Sequence, residues 1–436
     1  MNRDSDLRGP PTPRYRGGDN GALLISTRLH QLSVIRMPPH FAVNPVRRAL
    51  LGASASAAAM ASLGPWRSAL AQQVRPLPAF AAWKDVGAMI VHSPNTIELR
   101  RSAMGDGVIT PAKHLYVRNN IAPPSADILN DRDAWEVQID GVRRPRAFKL
   151  ADLKKMPTET VTMVLQCSGN GRGMFPSKPS GTPWQVGAAG CVMWTGVPVR
   201  ELVHELGGME VGAKFLTGTG GEVIPAGLDP KTRIERSVPV AAMEDALLAW
   251  ELNGQPIPLA HGGPLRLIVP GFTGVNSIKY VKRVGFTHAE SDSSIQQADY
   301  RMSAPDAKTM NPADPSVWQM PPKSWINSPL PEGGTLRAGA AVIKGVAFGG
   351  TNAVKQVEVS TDGGATWKVA ALVGPDLGRF AWREFAATVD LTSGSHQLAS
   401  RVTDVKGRTQ PETRIENKAG YLNTSWRDHA VTVSVA

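Results

Sequence analysis

Cysteine is nearly absent, with 2 in 436 residues. That excludes a disulfide scaffold and any iron–sulfur or structural zinc site made of cysteine alone. No apolar run approaches the ~20 residues of a membrane-spanning helix, once the alanine-rich stretch near residue 55 is explained. There is no G-x-S-x-G, and the nine histidines form no H-E-x-x-H or similar pair, which argues against a serine or zinc hydrolase. Glycines 169, 171 and 173 are not spaced as G-x-G-x-x-G, and no acidic residue follows about 20 positions on, so a dinucleotide fold is not indicated. No C-x-x-C-H is present, so no attached haem c is expected on this chain.

What is there is an ordinary globular balance, 42% hydrophobic and 19% charged. The length suggests two or three domains with ample core. The 43 glycines and 35 prolines make a turn-rich chain that leans toward β structure. The net charge of +11 is partly terminal: residues 1–71 hold nine Lys and Arg and three Asp and Glu, leaving 39 against 34. No basic run is interleaved with aromatics, so nucleic acid is not an expected partner. The mildly positive body suits a small anionic substrate.

The first 71 residues read as an export segment. Residues 1–36 lack periodicity, and Met37 is an alternative start. Arg47-Arg48 precedes a weakly apolar stretch and then Ala69-Leu70-Ala71 before Gln72. A charged region, a short apolar region and an A-x-A-like site form a signal peptide, and the paired arginines indicate twin-arginine export of a folded protein to the periplasm. The mature chain then starts irregularly, with six prolines in 72–125. Residues 135–139 alternate up to Asp140-Gly141, a hairpin signal. Short helices are expected at 150–156, 198–206 and 243–250, the last followed by Asn253-Gly254. Strands are expected at 160–165 and 265–269. After about 310 short alternating segments recur, with Asp362-Gly363-Gly364 as a tight turn, which reads as a β-sandwich.

Cys167 follows the first of those strands and opens Cys167-Ser168-Gly169-Asn170-Gly171-Arg172. A thiolate there would suit a soft metal centre; a small buried hydrophobe is the other reading. Cys191 reads as packing, although an oxidising compartment would permit a Cys167–Cys191 disulfide. His261 stands in His261-Gly262-Gly263-Pro264-Leu265-Arg266, whose glycines would let a ligand approach the backbone.

Several patterns now align with one family. Tyr116-Val117-Arg118-Asn119-Asn120, the Cys167–Arg172 element, Gly181-Thr182-Pro183-Trp184, Trp194-Thr195-Gly196-Val197, the His261–Arg266 segment with Val269-Pro270-Gly271 and Ser277-Ile278-Lys279, Asp299-Tyr300-Arg301 and Ser360 to Trp367 occur in one order. Over nearly all of residues 80–436 the chain resembles the sulfite oxidase family of molybdopterin enzymes. The resemblance implies an α+β molybdopterin-binding domain at 72–310 and an immunoglobulin-like dimerisation sandwich at 311–436. It implies Cys167 as the single protein ligand to molybdenum. Tyr116, Val117, Arg118, Asn119, Asn120, His261, Arg266, Ser277, Ile278 and Lys279 would hold the pterin and its phosphate. Arg118, Arg172, Trp184 and Tyr300 would form an anion pocket, completed by Arg379 from the second domain. Sulfite would be the substrate, with electrons passing singly to a separate c-type cytochrome, since no b-type haem domain is recognisable. A homodimer is expected. Two departures stand out: the family histidine after R-N is Asn120, and the family's acidic pterin contact has no clear counterpart at 217–221, with Asp229 misplaced for it. A related S-oxide reductase and an exported non-catalytic binding protein remain as alternatives.

Overall fold

The computed structural model describes residues 75–105 and 107–436. The export segment, with Arg47, Arg48 and Ala69-Leu70-Ala71, lies outside the described residues. Within 72–125, expected to be irregular, strands β1 (Met89–Ser93), β2 (Thr96–Leu99) and β3 (Val117–Arg118) form a three-stranded sheet. The prolines sit between these strands rather than in them, which is where a residue without an N–H belongs.

The alternating segment forms β4 (Glu136–Asp140), which pairs antiparallel with β5 (Arg146–Lys149). A short helix α1 (Leu150–Leu153) follows. Then β6 (Glu159–Gln166) runs from an exposed start to a fully buried end. Its β-branched and apolar residues suit a pleated surface. It pairs along its length with β7 (Ala189–Pro198), which feeds α2 (Val199–Glu205). Strands β8 (Phe215–Thr219) and β9 (Glu235–Pro239) follow.

The helix expected at 243–250 is not formed. Residues Val240–Glu244 make one 3-10 turn, and Leu247–Leu252 is a strand, β10. Leu-Leu-Ala-Trp is a continuous apolar run, and such runs do not distinguish a short helix from a strand buried on both faces. Here the second wins because β10 is flanked by β7 and by β12 (Arg266–Ile268), and Asn253-Gly254 turns it into β11 (Gln255–Pro256). Strand β13 (Arg283–Thr287) completes the region. The resulting sheets are β11-β10-β7-β6, with β12 also on β10, and β5-β4-β13-β8-β9, in which only β4–β13 is parallel.

The rest of the chain is the expected antiparallel sandwich. Strands β14 (Lys323–Ser328), β15 (Gly339–Phe348), β16 (Val354–Ser360), β17 (Lys368–Val373), β18 (Arg383–Leu391), β19 (Gly394–Asp404) and β20 (Val431–Val435) form one path in the order β14-β15-β18-β17-β16-β19-β20. The path folds back so that β14 packs on β19, where Ser324 Oγ and Ser400 Oγ meet at 3.0 Å. Ile343, Val357, Val359, Phe385, Leu398 and Val402 fill its core.

The seam near residue 310 is packed. Ile295, Tyr300 and Val317 share a buried cluster with Ala419 and Tyr421. The free edge of β6 is met from the sandwich side, where Val164 N–H donates to Phe380 O at 2.8 Å. Two regions of different architecture therefore close over the end of one strand, and that end carries Cys167.

Candidate active site

The end of β6 is held before any ligand is considered. Cys167 N–H donates to Ala188 O at 2.9 Å, and Asn170 N–H returns to Cys167 O at 3.0 Å. Asn170 also locks the loop with its side chain, donating to Gln166 Oε1 and accepting from Ala188 N–H. Gly171 has φ +91°, a left-handed value that glycine adopts without strain, and a Cβ there would lie 3.0 Å from Asn423 Cβ. The turn aims Cys167 into a cleft and sends Arg172 back across it.

Cys191 is a different thiol. It pairs in register with Val164, three residues before Cys167. It is fully buried, and burial pushes its pKa up to about 12, so it stays protonated and inert. Both cysteines are free, so the disulfide alternative is not realised.

The cleft has two compartments that share Arg118, Asn119, Asn120, Cys167 and Tyr300. The inner one is lined further by Tyr116, His261, Arg266, Ser277, Ile278 and Lys279. Nine of the ten cofactor-holding residues inferred from the resemblance are thus brought together. Val117 is the exception. It packs with Met89, Ile97 and Leu99 in a separate buried cluster, because alternate residues of a strand face opposite ways; it positions Tyr116 and Arg118 without lining the cavity.

The electrostatics of the inner compartment are unusual. Lys279 Nζ donates to Asn119 Oδ1 and to Ala260 O, at 2.6 and 2.7 Å. Arg266 donates to Ser277 O and to His261 O. Neither hydrogen-bonds to a carboxylate, although the Glu222 carboxyl lies near enough to attract both. Burial drives Lys279 well below its usual pKa and lowers Arg266 to about 10. Buried cations are ordinarily paired, so these await an anion. Gly262, at φ +97°, lets the histidine loop pass close to Lys279, whose Cβ would lie 2.7 Å from an added Cβ.

Glu222 is the carboxylate of this lining that the sequence reading missed. It follows β8 after Gly220-Gly221. Burial raises its pKa to about 7, and its Oε2 has no partner. Asp229 lies elsewhere, capping a surface turn through Lys231 N–H.

The outer compartment has Arg172, Trp184, Asp299 and Tyr421 beside the shared residues. Arg172 is fixed by Nε to Ala419 O at 2.6 Å and Nη1 to Thr182 O at 3.1 Å. Two of its five N–H groups are thereby used. Trp184 is fully buried and its Nε1–H has no partner. Tyr300 has φ +51° and donates its hydroxyl to Asn120 Oδ1 at 3.1 Å. Its ring stacks on Tyr421, with centroids 5.1 Å apart and planes 14° off parallel.

Arg379 is not part of this group. It is half-exposed and pairs with Asp245 at 2.5 Å, its guanidinium over Phe380. The sandwich region contributes Tyr421 instead, from the segment that also supplies Ala419 O. No local motif marks Tyr421; only the packing of the two regions brings it to the cleft.

A single thiolate cannot hold a metal alone, and among the described residues no three His, Cys, Asp or Glu cluster as a protein-only site. A metal here needs a group that brings ligands of its own. An anionic, multi-donor cofactor fits the unpaired Arg266 and Lys279 charges, the unpartnered Asn119 Nδ2 and Glu222 Oε2, and the thiol at the compartments' junction.

Comparison with known proteins bears on the same residues. Residues 123–295 match the family model described as "oxidoreductase molybdopterin binding domain", and residues 314–435 match "Mo-co oxidoreductase dimerisation domain". Sulfite oxidase of Gallus gallus is 31% identical over 349 residues, covering 76% of this chain and 75% of that protein. Mitochondrial sulfite oxidase of Homo sapiens is 32% identical, covering 76% of this chain and 62% of that protein, so the chain spans under two thirds of the human enzyme. A nitrate reductase [NAD(P)H] of Hordeum vulgare is 32% identical over 74% of this chain, but only 39% of that protein is covered. The crystal structure of the sulfane dehydrogenase SoxCD from Paracoccus pantotrophus superposes with a TM-score of 0.66 at 27% identity, covering 79% of this chain and 89% of that one.

Proposed function

Starting from the fact that the chain belongs to the sulfite oxidase family of molybdopterin oxidoreductases, we propose that it oxidises sulfite to sulfate. The observation that carries the reading is the position of Cys167 between a cationic inner compartment and an outer one lined by oriented anion donors. When bound, the molybdenum–pterin group supplies oxygen-atom transfer and accepts two electrons. Cys167 Sγ is its protein ligand, while His261, Arg266, Ser277 and Lys279 hold its pterin and phosphate.

The chain's own part is charge and orientation. Arg118 and Arg172 draw sulfite into the outer compartment and hold its oxygens with forked donors. The carbonyls that bind Arg172 fix its guanidinium in place, so little side-chain entropy is lost when the anion arrives. Trp184 Nε1–H is a further preset donor. Tyr300 is held from two sides, by the Asn120 hydrogen bond and by the Tyr421 ring. The balanced reaction is sulfite plus water giving sulfate, two protons and two electrons. The electrons leave to a c-type cytochrome, on this reading a separate protein. The sandwich would pair two copies, and the paired arginines at 47 and 48 would send the folded enzyme to the periplasm.

Steady-state assay of the purified chain, with sulfite and cytochrome c or ferricyanide, tests the reading beside molybdenum analysis. Molybdenum together with sulfite-dependent reduction supports it. Molybdenum with nitrate reduction by a viologen, and no sulfite turnover, would favour the reaction named for the barley relative. Absence of molybdenum from protein made in a cofactor-producing host would leave a binding protein.

A further inference from the structure

The segment just before β1 does something that the cofactor reading does not use. It runs through a 3-10 turn, Ala79–Ala81, to Trp83 and Lys84. Lys84 is buried, with 4% of its surface exposed. Its Nζ has three partners: Ala112 O at 2.9 Å, Leu115 O at 2.6 Å and His261 Nε2 at 3.0 Å. Trp83 meets the same imidazole edge-on, with centroids 5.8 Å apart. His261 lines the inner compartment, and its ring lies within hydrogen-bonding reach of the Ala112 backbone as well as of Lys84.

A lysine ammonium has three N–H donors and no acceptor, and a carbonyl can only accept. The three partners of Lys84 match those donors one for one. His261 Nε2 must then offer its lone pair. His261 is neutral, because burial first, and then the charges of Lys84, Lys279 and Arg266, hold its pKa well below the usual range. A neutral imidazole has one N–H. With Nε2 accepting, that hydrogen is on Nδ1.

We propose that Lys84 is a positioning residue that sets the tautomer of His261, so that Nδ1 serves as a hydrogen-bond donor for an anionic oxygen of the cofactor. The proposal rests on the cofactor reading above and adds a residue to it. A neutral amine at Lys84 would reverse the arrangement, accepting from Nε2–H and leaving Nδ1 as a lone pair that can donate nothing. Burial brings the Lys84 ammonium down to about 7, so a nearby negative charge decides in favour of the charged form. The groups facing the pair are Lys279 and Arg266 on the cavity side and Glu222 across it. Asp85, next in sequence, is engaged outward with His114 at 3.1 Å and offers Lys84 no counter-charge.

The test is 15N NMR of His261 in cofactor-loaded protein at neutral pH, with the resonance assigned by its loss in His261→Gln. The wild type should show a protonated Nδ1 and an unprotonated Nε2. In Lys84→Met the preference should be lost, and cofactor, followed as pterin fluorescence and molybdenum released per chain, should leave about tenfold faster. A protonated Nε2 in the wild type would overturn the proposal without any variant. So would an unchanged tautomer and release rate in a folded Lys84→Met protein. Failure of the cofactor reading looks different: wild-type protein from a cofactor-producing host would contain no molybdenum and no pterin.

Discussion

The two compartments meet at Cys167 and are built on opposite principles. The inner one gathers positive groups around a single carboxyl, Glu222, with Lys279, Arg266 and Lys84 all donating to carbonyls or neutral side chains. Its residues come from the N-terminal region alone. The outer one has its guanidinium already tied down and two stacked rings as a wall, and it takes Ala419 and Tyr421 from the sandwich side. The inner arrangement suits a large resident anion that enters once. The outer suits a small anion that comes and goes, where preset geometry matters more than net attraction. Substitutions in the first should therefore change occupancy, and those in the second should change kinetics.

The largest effect tests the junction itself. Cys167→Ser should abolish sulfite turnover in a folded chain, whereas Cys191→Ser should retain it with only a small packing cost. An active Cys167 variant beside an inactive Cys191 variant would reverse the ligand assignment. Next comes a pair that could break the comparison directly. Arg266→Gln should lower the molybdenum and pterin content of purified protein severalfold. Arg172→Gln should leave content unchanged but cut kcat/KM for sulfite by about 10- to 150-fold, since a charge-assisted hydrogen bond contributes about 1.5–3 kcal/mol. That loss should fall mainly in KM if the arginine holds ground and transition states alike. If both variants lost cofactor equally, the division of labour would be wrong.

Smaller effects sharpen it. Asn120 cannot titrate, so wild-type sulfite KM should carry no contribution from this position between about pH 5 and 8. Asn120→His should add one, with KM falling as the imidazole gains charge at lower pH; superimposable profiles would remove Asn120 from the anion path. The smallest expected effect is on stability. Glu222 has a folded pKa of about 7, above its ordinary 4.5, so the folded state binds more protons and stability falls as pH rises from 4.5 to 7. Lys84 and Lys323 have folded values of about 7, below their ordinary 10.5, so the unfolded chain binds more protons and stability rises from pH 7 to 10.5. In cofactor-free protein Tm should therefore rise between pH 7 and 10.5, while below pH 6.5 the buried His261 and His429, held well under their ordinary value, oppose the Glu222 trend. Bound anionic cofactor should make the alkaline side shallower by keeping Lys84 charged. A Tm maximum at pH 7 in the empty chain would contradict the assignments.

How far the chain could be read in advance follows the range of the forces involved. Strands of the sandwich alternate because one face meets a core, and Val357 and Val359 in β16 show that period plainly. The Cys167 turn was legible because its glycines and Asn170 act within a few residues. Leu247–Leu252 was misread because burial on both faces removes the period. Arg379 was misplaced for a different reason: a charged residue near an aromatic looks functional until its partner is known, and that partner, Asp245, is 134 residues away. Lys84 and Tyr421 are of the same kind. Their roles come from neighbours 177 residues off for Lys84 and from Tyr300 for Tyr421. Glu222 follows the Gly220-Gly221 pair at the end of β8, and its place in the lining shows only once β8 is packed against the histidine loop.

Strand β6 has one further consequence, which concerns assembly rather than chemistry. It is the outermost member of its sheet, and an uncovered outermost strand is a template for pairing with another chain. The Val164 N–H is occupied by Phe380 O, so the sandwich shields the very strand that ends in Cys167. A chain cut before the sandwich would lose Tyr421 from the cleft and would also expose β-branched residues with unpaired backbone beside Cys167. Such a fragment should be lost to self-association before its inactivity could be measured. For this protein, full synthesis of the C-terminal region is a condition for keeping the strand that ends in Cys167 out of aggregates.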